Sequence, residues 1–148
     1  MNYIGRIIHL FASQRGGESR LSKQHITLDT QGIQDDKYYA KDINRSILIT
    51  TVDSYSLALE HNISMPYGTL GENILLNYNL YHLPNKTKLQ IGQNILIEIS
   101  QPCTMCEHLS TIDKRLPTLL KKDRGIFAKV LQGGIVQEGD KVYLIDNI

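Results

Sequence analysis

Two cysteines three positions apart carry the sharpest chemical signal in this sequence. Cys103 and Cys106 belong to the segment QPCTMC, which follows a run typical of a strand and precedes a run typical of a helix. A cysteine near the N-terminus of a helix lies in a positive potential, which favours the thiolate over the thiol. Because the thiolate is the nucleophilic and metal-binding form, this pair is the first candidate for a functional group.

Four interpretations of the pair stay open at this point. A thioredoxin-like redox couple is expected in a βαβ setting, and the pattern of this chain lacks one. A zinc site needs two further ligands, and the histidines at positions 9, 25, 61, 82 and 108 show no paired ligand spacing. The pair can also supply one functional thiolate with a companion cysteine, or two small buried hydrophobic side chains.

Polar groups elsewhere are candidates for lining a pocket or binding an anion. Glu72 and Asn73 open the apolar segment GENILL, where they can fix loop backbone groups or line a pocket. Arg45 precedes a run that predicts a buried strand, so it should face an anionic ligand or a carboxylate, Asp35 or Asp36. Further cations are Arg15 and Arg20, around a Gly-Gly pair, and the basic residues between positions 113 and 124.

The elements that must position these groups are mostly strands. The chain has 148 residues, 41% of them hydrophobic, which suffices for one domain with a buried core and excludes a disordered chain. It contains 19 isoleucines but only 4 alanines; β-branched side chains favour strands, whereas alanine favours helices. The composition therefore predicts a mainly β fold and argues against a helical bundle.

Short apolar runs bounded by turn residues predict the individual elements. Ile95, Ile97 and Ile99 alternate with Leu96 and Glu98, which is the period of a strand. The run 46–51 is almost continuously apolar or β-branched, which predicts a strand buried on both faces. Strands are predicted over residues 3–11, 25–28, 46–51, 73–77, 88–91, 94–100, 126–131 and 141–145.

Two helical regions accompany these strands. Asp53 is predicted to cap a short helix over residues 54–61, and Pro117 is predicted to interrupt a helical region over residues 107–122. Seven or more strands with two or three small helices predict a closed or partly closed antiparallel barrel. We expect a single domain over residues 1–148.

Charge and hydropathy exclude several classes of partner. Lys and Arg number 16 against 15 Asp and Glu, so the chain lacks the basic excess of a nucleic-acid-binding protein. The first ten residues, MNYIGRIIHL, contain two polar interruptions and no small-residue cleavage site follows, which is atypical of a signal peptide. No run approaches the roughly 18 apolar residues that span a membrane. We therefore expect a cytoplasmic protein with reduced cysteines that binds neither nucleic acid nor membranes.

The motifs occur in an order that resembles a known family. Along the chain they are GIQDDKYY, NRSILITT, GTLGENILL, LQIG, ISQPCTMC, GIFAKVLQGG and EGDKVYLI. This order resembles the MOSC domain, the C-terminal domain of molybdenum cofactor sulfurases, in its short stand-alone bacterial form. The resemblance implies a MOSC-like β-barrel of mostly antiparallel strands with two or three short helices. It also implies a role with the molybdenum cofactor, molybdopterin.

The resemblance assigns roles to individual residues. The family's functional cysteine falls four positions after the first proline of a strand-end motif, so counting from Pro102 gives Cys106 as catalytic thiolate and metal ligand. Cys103 stands where arginine is common and is expected beside the cofactor. Positions that match the family, and are therefore expected to bind the cofactor, are Asp36, Arg45, Glu72 and Asn73.

Two functions follow from the resemblance, and each needs a partner protein. The first is a molybdenum-cofactor enzyme that reduces N-hydroxylated small molecules, with Cys106 as metal ligand and electrons from a separate donor protein. The second is a non-redox sulfur carrier or cofactor-binding module, which receives sulfur from a donor protein and holds a persulfide for transfer to a metallocofactor. A thiolate suits both functions, because it is a soft metal ligand and can carry a persulfide.

Overall fold

The described residues form eleven strands and three short helices. The computed structural model describes residues 1–13, 20–104 and 107–145, so the predictions for Arg15 and Cys106 concern residues outside these ranges. The helices are α1 Val52–Glu60, α2 Glu107–Ile112 and α3 Leu116–Leu119, and a 3-10 turn spans Ile43–Arg45. The strands are β1 Asn2–Ser13, β2 Arg20–Lys23, β3 His25–Asp29, β4 Gly32–Ile33, β5 Ile47–Thr51, β6 Ile74–Leu76, β7 Lys88–Ile91, β8 Ile95–Pro102, β9 Ile126–Gln132, β10 Gly134–Gln137 and β11 Lys141–Leu144.

Seven of these strands close into a barrel, as the sequence predicts. Their order is β11-β7-β8-β9-β5-β6-β1, and β1 pairs with β11 to complete the ring. Every pairing in the ring is antiparallel except that of β5 with β6, which is parallel. The prediction of a mainly β, mostly antiparallel barrel is therefore confirmed, with the parallel pair as an addition.

A second, smaller sheet covers one side of the barrel. It has the order β10-β3-β4, while β2 extends the main sheet beyond β1. The sequence analysis did not predict β2, β4 or β10. The physical reason is that these strands are too short to carry a periodic signal: β4 has two residues, and β2 and β10 have four each, of which only Val136 is buried.

The barrel interior is filled by branched aliphatic side chains. Ile95, Ile97 and Ile99 are buried, whereas Leu96 and Glu98 are only partly buried, so the predicted alternation in β8 is confirmed. All five residues of β5 are buried, as predicted for the run 46–51. The inward-facing isoleucines of several strands thus form one continuous core.

The three helices pack over a second core at one side of the barrel. Tyr55 and Ala58 of α1 contact a group of buried leucines, Leu75, Leu109 and Leu116 among them. The helix α1 begins one residue before the capping position predicted for Asp53; the side chain of its N-cap, Thr51, instead accepts a bond from the Asp53 amide.

Pro117 separates two helices, as the sequence predicts. It occupies the first turn of α3, where its missing N–H is not needed, so a new helix begins there instead of the preceding one continuing. None of the helices in the described part of the chain has the length and apolar character that a bilayer crossing needs.

Asn73 joins three strands at the point where β6 begins. Its backbone N–H donates to the carbonyl of Leu48 at 2.8 Å, and its side-chain oxygen accepts from the amide of Leu48 at 2.9 Å. On its other side it accepts from the amide of Phe11 and donates through Nδ2 to the carbonyl of the same residue at 3.3 Å. A single buried amide therefore satisfies backbone groups of both β5 and β1.

Tyr81 connects the start of α1 to the segment that precedes β9. The amide of Thr51 donates to the phenol oxygen at 3.0 Å, and Ser54 Oγ lies 2.8 Å from that oxygen. Because Ser54 donates its own proton to the carbonyl of Asp123, the Tyr81 hydroxyl donates to Ser54. Burial raises the pKa of Tyr81 to about 12.

Replacing Asn73 with alanine is expected to destabilise the fold. The Asn73→Ala change leaves the Leu48 amide and the Phe11 carbonyl without their side-chain partners, at a cost of about 1–3 kcal/mol for each buried group that stays unsatisfied. Urea denaturation should show this loss in the free energy of unfolding. Asn94→Ala, at an exposed turn position, is the control and should change it by less than about 0.5 kcal/mol. Equal effects of the two changes would contradict the role of Asn73.

Tyr81 is expected to make stability depend on pH in the alkaline range. Its pKa is about 12 in the folded protein and about 10 when unfolded, so its contribution is complete below pH 10 and is lost as the pH rises towards 12. Over that interval the wild-type free energy of unfolding should fall more steeply than that of Tyr81→Phe, by up to about 1.4 kcal/mol per pH unit. Urea denaturation of both proteins from pH 8 to pH 11 measures the difference. Parallel curves would show that Tyr81 titrates normally.

Candidate functional site

The end of β8 and the start of β6 meet at one end of the barrel. Cys103 follows β8, is 2% exposed, and packs against Leu48 and Phe127. Its amide donates to the carbonyl of Gly125 at 2.9 Å. Leu48 is also the residue whose backbone Asn73 bonds. The same strand residue therefore contacts both Cys103 and the segment Gly71–Asn73, called the GEN segment below.

The chain after residues 105–106 returns to the same region. His108 in α2 lies with Nε2 3.1 Å from the carbonyl of Thr69. Arg124, which is buried, donates to the carbonyl of Leu70 at 2.7 Å. Two described residues that follow Cys106 in the chain therefore bond the backbone of Thr69 and Leu70, just before Glu72.

Glu72 is completely buried and is bonded through only one of its carboxylate oxygens. Oε2 accepts from Thr50 Oγ1 at 2.6 Å and from the Tyr55 hydroxyl at 2.5 Å. The Tyr55 oxygen in turn accepts from the amides of Gly68 and Leu70. Oε1 is buried and accepts no hydrogen bond from any residue that the structure describes. This oxygen is an unused acceptor inside the protein.

Tyr55 keeps its proton and so remains a donor to Glu72. Burial, followed by the negative charge of Glu72, raises the pKa of Tyr55 above its ordinary value. The phenol is therefore neutral at any physiological pH. Its two backbone donors and one carboxylate acceptor fix the position of the Glu72 Oε2 atom.

Arg20 has a guanidinium N–H without an acceptor among the described residues, and its charge interacts with that of Glu72. Its guanidinium Nη1 is buried and makes no hydrogen bond with the described residues. Burial lowers the pKa of Arg20, and the negative charges of Asp36 and, more weakly, Glu72 oppose that shift. The sequence analysis named Arg20 only as one of several cations, because its burial depends on the pairing of β2 with β1.

Asp36 organises the backbone beside Arg20. Its Oδ1 accepts from the amide of Ser13 at 2.7 Å, and its Oδ2 accepts from the amide of Tyr38 at 3.0 Å. Ser13 lies directly opposite Arg20 in the β1–β2 pairing. Both oxygens of the Asp36 carboxylate are thus engaged by backbone amides, and its negative charge remains close to the guanidinium.

Arg45 lies at the rim of this region. Its side chain is 44% exposed, its Nε is 3.8 Å from Asp42 Oδ2, and its guanidinium stacks over the Phe127 ring at 5.4 Å. The expectation that it faces a carboxylate holds, but that carboxylate is Asp42 and not Asp35 or Asp36. Through this contact with Phe127, Arg45 lies beside the buried cluster that Phe127 forms with Leu48 and Cys103.

The basic segment after the cysteines divides into exposed and buried cations. Arg115 pairs with Asp113, its Nη2 lying 3.0 Å from Oδ2, and both are at the surface. Lys121 and Lys122 are exposed. Arg124 alone among these named cations turns inward to the loop before Glu72.

The structure brings together most of the predicted site residues. Glu72, Asn73 and Cys103 are linked through β5, Arg45 reaches them through Phe127, and Asp36 acts on Arg20. Asn73 bonds backbone groups, but these belong to the strands β5 and β1 instead of to a neighbouring loop as predicted, and Glu72 bonds side chains. Cys106 lies outside the described residues.

Three residues of this region were absent from the predicted site. Thr50 and Tyr55, which hold Glu72, have the apolar or β-branched character typical of core positions in a strand and a helix, so the sequence carried no signal for them. Arg124 was counted only as part of a charged segment. In the described part of the chain no three His, Cys, Asp or Glu side chains converge in a way that holds a metal ion.

Comparisons with known proteins agree with this architecture. YuaD from Bacillus subtilis has a crystal structure that superposes with a TM-score of 0.79 and 15% identity, covering 96% of this chain and 97% of the other. YiiM from Geobacillus stearothermophilus gives a TM-score of 0.73 and 15% identity, over 96% of this chain and 75% of the other. YiiM from Escherichia coli gives 0.68 and 17%, over 100% and 71%. At these identities the likeness shows the fold.

The family is shown by the sequence itself. A comparison with curated proteins found no match. The family model for the MOSC domain, in contrast, matches residues 35–143, well over half of the chain, and that range includes Asp36, the GEN segment and both cysteines. The chain therefore belongs to the MOSC domain family.

Proposed function

We propose that this protein binds the molybdenum cofactor and that the thiolate of Cys106 is its ligand to the metal. The MOSC family is generally associated with this cofactor. A thiolate is a soft ligand suited to such a centre. Cys103, which is buried against Leu48 and Phe127, is the companion thiol beside the site.

The observation that carries the proposal is the Nη1 atom of Arg20. This atom is buried, within a side chain that is only partly buried, and it has no hydrogen-bond acceptor among the described residues. Such a donor fits an anionic group, and the cofactor carries a phosphate. Asp36 offsets part of its charge. Nη1 itself makes no hydrogen bond with the described residues, so the guanidinium keeps a donor for a ligand.

The remaining site residues would hold and orient the cofactor. Glu72 offers a buried acceptor, Asn73 holds the GEN segment against β5, and Arg45 supplies a second cation at the rim. When bound, the metal centre supplies oxygen-atom and electron transfer. The protein's own groups would bind the cofactor's polar edges and keep water from them.

We propose reduction of N-hydroxylated small molecules as the reaction, with electrons from a separate donor protein. The chain has two cysteines, fewer than the four thiolates that usually hold an iron–sulfur cluster. We therefore propose that a separate protein supplies the electrons. We propose a cytoplasmic location, because thiols are kept reduced there.

Metal content should depend on Cys106 and not on Cys103. Protein purified from a host that makes the cofactor should contain molybdenum and pterin in near-equal amounts, and Cys106→Ala should lose most of the metal because its thiolate is removed. Cys103→Ala is the matched control: it should lower the melting temperature, because it leaves a gap beside Phe127, while keeping the metal. Elemental analysis and pterin fluorescence measure both.

Two other results would redirect the assignment. Loss of metal from Cys103→Ala alone would transfer the ligand role to Cys103. Persulfide sulfur on the wild-type protein without molybdenum would favour the sulfur-carrier function.

Substitutions of Arg20 and of Arg45 should differ in their effect on phosphate binding. Arg20→Gln should weaken the affinity for inorganic phosphate or the cofactor by about 1.5–3 kcal/mol, since it removes a buried charge-assisted donor. Arg45→Ala should weaken it by less than about 1 kcal/mol, because that side chain is half exposed and screened by water. Titration calorimetry, with melting temperatures to separate folding effects, measures the difference. Arg115→Gln, a change at the surface, is the control. If Arg20→Gln lowers the phosphate affinity no more than this control does, the phosphate site is refuted.

A further inference from the structure

The densest run of positive charge in the sequence surrounds the short helix α3. Residues 114–122 contain four basic side chains, Lys114, Arg115, Lys121 and Lys122, and no acidic one. The rest of the chain has 12 basic residues against 15 acidic ones, so it is net negative. A patch of one sign on a protein that is otherwise of the opposite sign attracts and orients partners of complementary charge.

Three of these four charges have no counter-ion in the described part of the protein. Lys114, Lys121 and Lys122 are exposed, and their ammonium groups make no ion pair or hydrogen bond with the described residues. Arg115 differs, because its Nε and Nη2 donate to the two carboxylate oxygens of Asp113 at 3.1 and 3.0 Å. Asp113 therefore neutralises Arg115, and the charge of the three lysines is left over.

The helix between these lysines is anchored in the protein. Leu116 and Leu120 of α3 are completely buried, and both belong to the second core together with Leu109 of α2. Lys114 lies before α3, and Lys121 and Lys122 lie after it. The lysines are therefore held at the two ends of a fixed element, which at about 1.5 Å per residue is about 6 Å long.

A cavity of about 450 Å³ lies next to this helix, where α1 ends. The described residues that line it are His61, Lys114, Arg115, Thr118 and Leu119. Leu119 and the methylene groups of the basic side chains supply apolar contact, while the ammonium group and the Thr118 hydroxyl supply hydrogen-bond donors. Such a lining suits a side chain with a short aliphatic stem and a carboxylate at its end.

The arrangement of the charges favours one class of anion over two others. A single small anion needs cations gathered around one point, whereas these lysines are divided between the two ends of α3. A helix that binds a lipid surface exposes its apolar face, whereas the leucines of α3 are buried inside the protein. A peptide carries carboxylates spaced along its chain, at about 3.3 Å per residue when it is extended.

We propose that Lys114, Lys121 and Lys122, together with the cavity beside α3, form a cationic surface that binds an acidic segment of a partner protein. The lysines attract several carboxylates of that segment, and the cavity accepts one glutamate side chain against Leu119 and Thr118. The inference goes beyond the proposed function and does not depend on it, because it uses no residue assigned to the cofactor.

A peptide of eight glutamates, labelled with fluorescein, tests the cationic surface on the purified protein. Fluorescence anisotropy at low salt should show binding to the wild-type protein. The double change Lys121→Gln and Lys122→Gln should weaken that binding about tenfold or more, because it removes two of the three uncompensated charges. Lys88→Gln with Lys141→Gln removes the same charge from exposed strand positions and should change the affinity less than about twofold.

Asp113→Asn should have the opposite effect and tighten the binding. It removes the charge that neutralises Arg115, while the asparagine oxygen can still accept the bond that the Arg115 amide donates to Asp113 Oδ1. The affinity for the glutamate peptide should rise about two- to fivefold. Damage to the fold does not produce a gain in affinity, and melting temperatures of all variants establish that they are folded.

Three results would overturn the inference. One is a wild-type protein that does not bind the peptide. Another is an equal affinity of the Lys121/Lys122 variant and of its control, which would show that the attraction is not located at α3. The third is tighter binding of tripolyphosphate, or of phosphatidylserine–phosphatidylcholine vesicles, with the same dependence on Lys121 and Lys122. That result would replace the acidic segment by a free anion or by a lipid surface.

Discussion

The buried amide of Asn73 is the interaction on which the rest of this site depends. The parallel pairing of β5 with β6 begins at Ile49 and Ile74, so the preceding backbone groups need other partners. Asn73 provides them to β5 through Leu48 and to β1 through Phe11. The preceding residue, Glu72, is buried and bonds Thr50 of β5, and Cys103 packs against Leu48 of the same strand.

Asp36 and Arg124, two charged side chains near the site, are hydrogen-bonded to backbone groups. Asp36 is neutralised by backbone dipoles and lies near Arg20, while Arg124 bonds the carbonyl before Gly71. Burying such groups is costly unless each has partners, so the two atoms near Asp36 and the GEN segment that find none among the described residues are informative. Arg20 Nη1 is a hydrogen-bond donor and Glu72 Oε1 is a hydrogen-bond acceptor, so the site contains one of each.

The sequence predicted the fold well because barrel strands carry local signals. Alternation in β8, the apolar run of β5 and the interruption at Pro117 are all properties of neighbouring residues, and each was confirmed. The helix cap was assigned to Asp53 instead of Thr51, since both residue types accept from backbone amides and spacing alone does not separate them.

Contacts between distant segments were beyond that kind of reasoning. Thr50 and Tyr55 reach Glu72 across 22 and 17 positions of the chain. The Nη1 atom of Arg20 is buried in a structure where β2 folds back on β1. The carboxylate beside Arg45 is Asp42, the N-cap residue of the turn that carries it. Resemblance to a family supplied the site residues Asp36, Glu72 and Asn73, but not the residues that hold them.

Closure of the barrel has a consequence for how the protein forms. Tyr3 of β1 pairs with Tyr143 of β11, so the ring cannot close until nearly the whole chain has left the ribosome. Contacts of such large sequence separation are associated with slow folding, because the entropy of a long loop must be lost before the pairing stabilises it. Since β1 also carries the Phe11 and Ser13 backbone groups that Asn73 and Asp36 bind, the nascent chain exposes an unfinished sheet edge and an unassembled site together. Until β11 pairs with β1, the chain therefore exposes an open strand edge, which is the kind of surface that favours aggregation.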